Sequence, residues 1–459
     1  MSRVLGVVTA RRALWLVLAA GLVLMLAVDL PGHLSYDSVI QLHEGHFHRR
    51  ETWAPAIFAW LLGLSDAVIP GTSLYVAASG LLFFSSLAGL AALRGKVSWL
   101  GVATAALIAL TPQVLIYQGI VWKDICFANC ALAGATCLAL ALSGWEQPRR
   151  RWPWLAGALI SFSVASLVRQ NGILIPLFCA LALGWVGSRG QWRRGAAWMF
   201  GALLAIAALM QVLQVAAVPQ FGVKDKALSE GVRIVQNYDM TGAVTLDPSY
   251  RLSEIEKAKP GAAATIRARS RLNWSPDRID FLDRDPVLGT ALNSLDDGVA
   301  RRQWLDLIIH HPGLYLRLRW MDFVWVFATP NPDRCLPVYT GVDAPAPKMR
   351  DLGIAHRYSK VDGELYNYDT WFMDTPLQRH WTYAIVALAV AGVLLLRREP
   401  ADLAVVGLML GSLAMTASFF VISLACDYRY LYFLDVSALA GLFYLVVDRP
   451  RFRRRRPAG

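Results

Sequence analysis

The stretch GIVWKDICFANCALAG, residues 119–134, places a lysine and an aspartate directly before an apolar run. Trp122 precedes the pair, and residues 121–143 are long and apolar enough to cross a bilayer. Charged side chains near the end of a bundle helix are costly unless they pair or take part in function. The fold therefore depends on which membrane face Lys123 and Asp124 occupy, and on which groups join them there.

Composition identifies the chain as an integral membrane protein. It has 459 residues, of which 56% are hydrophobic and 17% charged, and apolar windows of roughly 17–25 residues recur along it. We predict an all-α polytopic membrane protein with about ten transmembrane helices and one long polar insert. The predicted spans are 12–30, 72–93, 98–117, 121–143, 153–168, 171–187, 195–218, 380–396, 401–425 and 430–447.

The positions of the basic residues predict the orientation. With a cytoplasmic N-terminus and ten crossings, every basic cluster falls inside, as the positive-inside rule requires. The clusters are Arg3, Arg11 and Arg12; Arg94 and Lys96; Arg149–Arg151; Arg189, Arg193 and Arg194; Arg397 and Arg398; and the tail DRPRFRRRRPAG. We therefore predict a multi-pass protein of the plasma (inner) membrane with both termini cytoplasmic. Its net charge of +12 is explained by an inner rim facing anionic lipids, and no nucleic-acid partner is predicted.

The same count divides the chain into four parts. The segment 53–70 is predicted to lie along the outer interface, because a crossing there would break the charge pattern. The insert is predicted to form a small mixed or helical domain, with the amphipathic segment 310–327 on its surface. The predicted parts are an N-terminal transmembrane module (1–218) with an outer-face catalytic loop (31–71), the extracytoplasmic insert (219–378), C-terminal transmembrane helices (379–448) and a basic cytoplasmic tail (449–459).

Several polar motifs fall together on the predicted outer face. They are HLSYDSVIQLHEGHFHRRE after the first span, YQGIVWKD before the fourth, SLVRQNG between the fifth and sixth, and ACDYRYLY between the ninth and tenth. Each alone is also typical of a plain anchor, because Lys and Arg snorkel and tyrosines form interfacial belts. Their concentration on one face favours a functional site.

In their order, these motifs resemble those of the GT-C superfamily of membrane glycosyltransferases, which includes protein O-mannosyltransferases and aminoarabinose transferases. The matching elements are WAPAIFAWLLGL, WKD, RQNG, HPGLYLRLRW and RYLY. The chain departs from the family in its first loop, where the single Asp37 of SYDS replaces an acidic pair. That departure leaves dependence on a divalent metal open.

The resemblance implies transfer of a hexosyl or pentosyl group from a polyprenyl-phosphate donor to a cell-envelope glycan, lipid or protein. The acceptor hydroxyl needs a base and the leaving phosphate needs cations. The residues implied are Asp37 as base; Lys123, Arg169 and Arg429 as the donor-phosphate clamp; Asn171 as a hydrogen-bond donor; and Trp122, Tyr428 and Tyr430 as substrate contacts. Asp124 is predicted to pair with a neighbouring cation or to serve as a second catalytic carboxylate.

The chain contains a dense histidine cluster and six cysteines, residue types that can bind metals or form disulfides. His43, His46 and His48 lie close to Glu44, but their spacing matches no zinc pattern, which favours a solvated loop. Four cysteines lie within predicted spans. Cys335 and Cys426 both fall on the outer side, where a disulfide can form, although the sequence does not pair them.

Two other functions fit part of the pattern. A transporter or flippase of a lipid-linked substrate would also carry outward charges, but transporters often show inverted repeats and midplane charges. No repeat is visible here. A non-catalytic protein with a degenerate glycosyltransferase fold is the other alternative, because the acidic pair is incomplete.

Overall fold

The computed structural model describes residues 9–52, 54–217, 227–279, 282 and 284–448, and the chain there is helical. Within these ranges, extended segments meet only in isolated bridges, such as that between His33 and Ile120. The all-α prediction is confirmed. Arg3 and the predicted tail 449–459 lie outside the described residues.

The helices fall into three groups along the chain. The N-terminal group is α1 (Ala10–Asp29), α2 (Tyr36–Phe47), α3 (Ala56–Val68), α4 (Ser73–Ala92), α5 (Trp99–Leu110), α6 (Pro112–Leu115), α7 (Lys123–Ser143), α8 (Pro148–Val168), α9 (Leu174–Ser188) and α10 (Trp192–Ala217). The insert contains α11 (Ala227–Leu246), α12 (Ser253–Ala258), α13 (Ala262–Asn273), α14 (Pro286–Asn293), α15 (Asp297–His310), α16 (Pro312–Ala328), α17 (Ala346–Asp351) and α18 (Lys360–Thr370). The C-terminal group is α19 (His380–Arg397), α20 (Pro400–Ile422) and α21 (Tyr432–Val446).

The described residues contain eight helices long and apolar enough to cross a membrane, or nine if one bent pair counts as a span. The eight are Ala10–Asp29, Ser73–Ala92, Lys123–Ser143, Pro148–Val168, Trp192–Ala217, His380–Arg397, Pro400–Ile422 and Tyr428–Val446. The chain is thus a multi-pass membrane protein. The prediction of ten spans differs at two places, the bent pair and the short helix α9.

The predicted span 98–117 is broken rather than straight. Trp99–Leu110 and Pro112–Gly119 meet at an angle of 64°. Thr111 is extended, with φ −65° and ψ 147°, because a residue before proline is pushed out of the helical region. The bend separates the long helix α5 from the short turns that lead to Lys123.

The predicted span 171–187 corresponds to α9, which has only 15 residues and is about 22 Å long at 1.5 Å per residue. It packs tightly on α20. A Cβ added at Gly411 would lie 2.7 Å from the Cα of Ile175, and one at Gly407 would lie 2.9 Å from the Cα of Cys179. Glycines on α20 therefore permit the close backbone approach typical of membrane helix pairs.

Contacts between helix ends define two opposite faces of the bundle. At one, which we call the basic face, Arg94 after α4 donates to Glu399 at 2.7 Å and to Asp402 at 3.0 Å, beside the start of α20. At the other, the amide of His33 donates to the carbonyl of Gly119 at 2.9 Å. Arg11 and Arg397 lie at this face too, because Arg11 donates to the carbonyl of Arg94 and Arg397 donates to Asp402. Which face is cytoplasmic stays a prediction.

Cysteine labelling tests that orientation. Ser253→Cys in α12 and Gln191→Cys between α9 and α10 both place the new thiol at an exposed position. A membrane-impermeant maleimide applied to intact cells is expected to label Ser253→Cys and not Gln191→Cys, and both should react after permeabilisation. The native free cysteines are buried or half-buried, so the unsubstituted protein is the background control. Labelling of Gln191→Cys alone would invert the orientation.

The segment 53–70 contains α3, a helix of 13 residues that is not among the candidate spans. It packs on α2 through two glycines. A Cβ added at Gly45 would lie 2.8 Å from the amide nitrogen of Gly63, and one added at Gly63 would lie 2.8 Å from the carbonyl carbon of Gly45. The pair α2–α3 therefore forms one tightly packed unit in the loop after α1.

The insert is helical in its described part, and it is tied to the membrane helices in two ways. Cys335 and Cys426 form a disulfide, which joins the insert to the segment after α20. Arg319 of α16 is fully buried and donates to the carbonyls of Val421 and Ser423 at 2.9 and 3.0 Å. These links hold the insert over the end of α20 that lies away from the basic face.

Candidate functional site

Asp37 and Arg429 form the centre of the site. Asp37 lies in the first turn of α2, and Arg429 lies in the 3-10 turn Tyr428–Leu431 that leads into α21. A guanidinium nitrogen of Arg429 is 2.7 Å from a carboxylate oxygen of Asp37. The Arg429 side chain is only 13% exposed whereas that of Asp37 is 45% exposed. Asp37 therefore covers the open side of a buried cation.

Trp122 forms the floor beneath Arg429. Its ring is buried, and the guanidinium carbon of Arg429 lies 4.9 Å from the ring centroid. The indole Nε1–H donates to the hydroxyl of Ser35 at 2.8 Å, just before α2 begins. Because an aromatic face attracts a cation, Trp122 both positions Arg429 and connects the first loop to the start of α7.

Lys123 and Asp124 follow Trp122 at the N-terminus of α7. Lys123 interacts electrostatically with Asp124, Arg169, Arg429 and Asp37, so it lies among all the charged groups of the site. Asp124 is buried and forms an ion pair with Arg169. Lys123 and Asp124 thus supply one cation and one anion to a shared cluster.

Arg169 follows α8 directly and joins the same group of charges. Besides pairing with Asp124, it donates to the carbonyl of Tyr430 at 3.3 Å and lies over the rings of Phe419 and Tyr430 at 5.4 and 5.6 Å. We call Asp37, Lys123, Asp124, Arg169 and Arg429 the charged cluster. It brings residues from four separate stretches of sequence into contact.

The charged cluster determines the ionisation of Asp37. Burial acts to raise the pKa of this carboxyl, but the positive charges of Arg429 and Lys123 and the hydrogen bond from Arg429 outweigh burial. Its pKa therefore lies below the ordinary value, and Asp37 is a carboxylate at neutral pH. It is ready to accept a proton, although its basicity is reduced while Arg429 remains paired with it.

The remaining predicted site residues are only partly brought together. Tyr430 lies beside the charged cluster, with its ring 5.5 Å from the guanidinium carbon of Arg429. Asn171 donates instead to Ser418 at 2.9 Å. Tyr428 is buried in the bundle, where its hydroxyl accepts a hydrogen bond from Gln113 at 2.8 Å. Asn171 and Tyr428 thus hold helices together in this structure.

The sequence favours a solvated loop for the three histidines of the first loop. The structure instead places His43 and His46 on the helix α2 and His48 just after it. His43 is buried and contacts Glu51 at 3.0 Å and Asp351 at 3.4 Å, whereas the partly exposed His46 contacts Asp66 at 2.6 Å. Their carboxylate partners differ, so they do not converge. Over the described ranges, no group of three or more His, Cys, Asp or Glu side chains is arranged to hold a metal ion.

Sequence reasoning missed a second buried ionic group beside the first loop. His33 is fully buried between Asp29 at 3.1 Å and Asp362 of α18 at 3.3 Å, and Arg357 donates to the carbonyl of Gly32 at 2.8 Å. Burial lowers the pKa of His33, but hydrogen bonds to the two carboxylates outweigh burial and raise it. This group fixes the loop that carries Asp37 against the insert. The motif HLSYD shows that a histidine begins the first loop, but it does not show that this histidine pairs with Asp362 of the insert.

No family model and no curated protein matches the chain. Among solved structures, it is similar to the oligosaccharyltransferase of Archaeoglobus fulgidus in complex with zinc and sulfate, with 13% identity and a TM-score of 0.43, covering 94% of this chain and 49% of that one. It is also similar to ArnT from Cupriavidus metallidurans bound to undecaprenyl phosphate, with 15% identity and a TM-score of 0.34, covering 94% of this chain and 77% of that one.

The superfamily that the motif order predicts stays a prediction for this chain, because neither likeness reaches a TM-score of 0.5. This chain spans about half the length of the oligosaccharyltransferase. TM-scores below 0.5 do not establish which residues correspond. The roles of residues in this chain therefore rest on its own contacts.

Proposed function

We propose that this protein is a membrane glycosyltransferase that moves a sugar from a polyprenyl-phosphate donor to a hydroxyl of a cell-envelope acceptor, on the extracytoplasmic side. The observation that carries the proposal is the ion pair between Asp37 and Arg429 at 2.7 Å, with Lys123 and Arg169 beside it. A carboxylate next to Arg429 and Lys123, with Arg169 in the same cluster, supplies what the reaction needs: a proton acceptor and a site for a phosphate.

The cations suit the donor phosphate. Arg429 and Arg169 have planar guanidinium groups that can hold phosphate oxygens with two hydrogen bonds, and Lys123 adds a compact charge. Asp124 is buried and paired with Arg169, so its role is to position that arginine. Because the cluster lies at the ends of membrane helices, a polyprenyl chain can remain in the bilayer while its phosphate is held there.

Donor binding would also activate the base. A phosphate that takes hydrogen bonds from Arg429 competes with Asp37 for the same guanidinium. Loss of that contact removes one of the interactions that lower the pKa of Asp37, so the carboxylate becomes a stronger base when the donor is present. The ion pair between Asp37 and Arg429 is thus the contact that donor binding would replace.

The reaction then balances as a substitution at the anomeric carbon. The acceptor oxygen forms a bond to that carbon while its proton passes to the Asp37 carboxylate. The bond from the anomeric carbon to the phosphate oxygen breaks, and its electron pair leaves with polyprenyl phosphate. The additional negative charge on the departing phosphate is stabilised by Arg429, Lys123 and Arg169.

A transfer assay with an Arg429→Gln variant tests the proposal. Purified full-length protein is given radiolabelled polyprenyl-phosphate sugars and a membrane fraction as the acceptor source. Covalent transfer of label is expected, with the apparent donor affinity of Arg429→Gln weakened by about tenfold or more, since a hydrogen bond to a charged group contributes about 1.5–3 kcal/mol. Arg350→Gln, an exposed cation in α17, is the matched control and should change affinity less than about twofold.

The outcomes separate the alternatives. Movement of the lipid-linked sugar between leaflets of a vesicle without cleavage from phosphate would identify a flippase. Neither cleavage nor movement would identify a non-catalytic protein. If transfer occurs and Arg429→Gln behaves like Arg350→Gln, the assignment of Arg429 to the donor phosphate is wrong.

A further inference from the structure

A cavity of about 230 Å³ lies on the basic face of the protein, where the start of α8 meets the turn between α9 and α10. It lies at the opposite end of the helices from the charged cluster, so it is a separate site. Its lining combines cationic and aromatic side chains: Trp145, Arg151, Gly187, Arg189, Arg194 and Trp198.

Aromatic packing builds the wall of the cavity. Trp145 and Trp198 meet edge to face with ring centroids 5.0 Å apart. A Cβ added at Gly187 would lie only 2.4 Å from the Trp198 ring, so a glycine is needed there for the indole to lie against the end of α9. The wall therefore depends on a close approach that larger residues would prevent.

Arg151 is held in place by these rings. Its guanidinium carbon lies 4.5 Å from the Trp145 ring and 5.4 Å from the Trp198 ring, and one terminal nitrogen donates to the carbonyl of Trp145 at 3.1 Å. Its Nε is buried and has no hydrogen-bond partner among the described residues. The rings thus fix the guanidinium in the lining of the cavity, where it supplies positive charge to an anion that enters.

The charge around the cavity is strongly positive. Arg189 pairs with Glu146, but both side chains are largely exposed, where an ion pair is weak. Arg194 is exposed and forms no ion pair within the described part of the chain. Three arginines therefore surround the cavity with one solvent-exposed carboxylate nearby, which favours an anionic ligand.

We propose that this cavity binds a phosphate group, the headgroup of an anionic phospholipid or a soluble phosphate. Its volume is below the roughly 300–1,000 Å³ of pockets for drug-sized ligands, so it fits a small anion or headgroup. Tryptophans are typical of the depth where membrane headgroups lie, so the lining suits a ligand held at that depth. The site is independent of the proposed sugar transfer.

Lipid binding by the purified full-length protein in nanodiscs tests this. Native mass spectrometry would count phosphatidylglycerol retained against phosphatidylcholine, and inorganic phosphate would be added as competitor. The test variants are Arg194→Gln and the double variant R151Q/R194Q. The matched control is R149Q/R150Q, which removes two exposed charges from the same face that do not line the cavity.

We expect affinity for phosphatidylglycerol to fall by about tenfold or more in R151Q/R194Q, from the loss of charge-assisted hydrogen bonds, and by less than about twofold in R149Q/R150Q. Arg194→Gln should show an intermediate loss of affinity. Because Arg194 is exposed, unfolding of the variant would not explain that loss. Competition by inorganic phosphate with no lipid preference would support the same site with a soluble ligand. Equal losses in the test and control double variants, or no binding of either probe, would overturn the proposal.

Discussion

Asp37→Asn is expected to slow sugar transfer by about 10²–10⁴-fold, the usual contribution of a general base. Asparagine keeps the shape of the side chain and can still contact the site, but it cannot accept the proton of the acceptor hydroxyl. The wild-type carboxylate is ionised at neutral pH because Arg429 and Lys123 hold its pKa below the ordinary value. The loss should therefore appear across the neutral range and shrink only where acidic pH protonates the wild-type carboxylate.

Turnover rate and donor affinity are both needed to interpret this variant. Asp37 is 45% exposed, so its replacement should leave folding nearly unchanged, and donor affinity should be kept or improved because Arg429 loses a competing anion. Asp66→Asn, a change of carboxylate in the neighbouring helix α3, is the control and should keep its rate. Normal transfer by Asp37→Asn would exclude Asp37 as the base. Loss of wild-type activity on chelation would indicate a metal held by this carboxylate instead.

Much of the membrane architecture could be predicted because a bilayer restricts the chain to long apolar helices. The prediction 121–143 agrees with Lys123–Ser143, and 380–396 agrees with His380–Arg397, to within two residues. Averaging hydropathy over a window concealed the break at Thr111, although the following proline was a local signal. The short helix α9 packs against Gly407 and Gly411 of α20, and no single window contains both partners of that contact.

The grouping of the charged residues could be predicted because a count of spans puts them at one end of the bundle, where they are found in contact. The supporting contacts could not. Trp122 and Ser35 are 87 residues apart, and the tie from His33 to Asp362 crosses most of the chain. Asn171 and Tyr428 were selected from motif and residue type, and the structure places both in contacts between helices. Residue type indicates which hydrogen bonds a side chain can form, whereas packing determines which partners it contacts.

Arg319 illustrates the same limit in the insert. The segment 310–327 was expected to be amphipathic and to lie on the surface, and Trp320 is indeed 60% exposed. Arg319, its neighbour, is fully buried. It pairs with Asp239 of α11 and with Asp322 at 2.8 Å, and it reaches two carbonyls at the end of α20. One side chain thus connects three elements.

Arg319→Met is expected to destabilise the protein by about 3–5 kcal/mol, because two buried carboxylates lose their cation. Burial raises the pKa of Asp239 to about 6 even though Arg319 and Trp304 act to lower it. Without Arg319 that pKa would rise further, so the folded variant would keep a proton on Asp239 that the unfolded chain releases near pH 4. A folded state that binds more protons loses stability as pH rises. The deficit of Arg319→Met relative to wild type should therefore grow between pH 6 and pH 8.

Thermal unfolding of purified protein at several pH values measures this deficit. Arg317→Met is the matched control, because Arg317 is an exposed arginine two residues away on α16, and it should change stability by less than about 0.5 kcal/mol. The triple variant R319M/D239N/D322N should recover much of the loss, since it leaves no buried charge unpaired. A deficit that is independent of pH and persists in the triple variant would show that Arg319 stabilises the insert through its packing and its bonds to Val421 and Ser423. A deficit that grows with pH and is relieved in the triple variant would show that the buried carboxylates require Arg319.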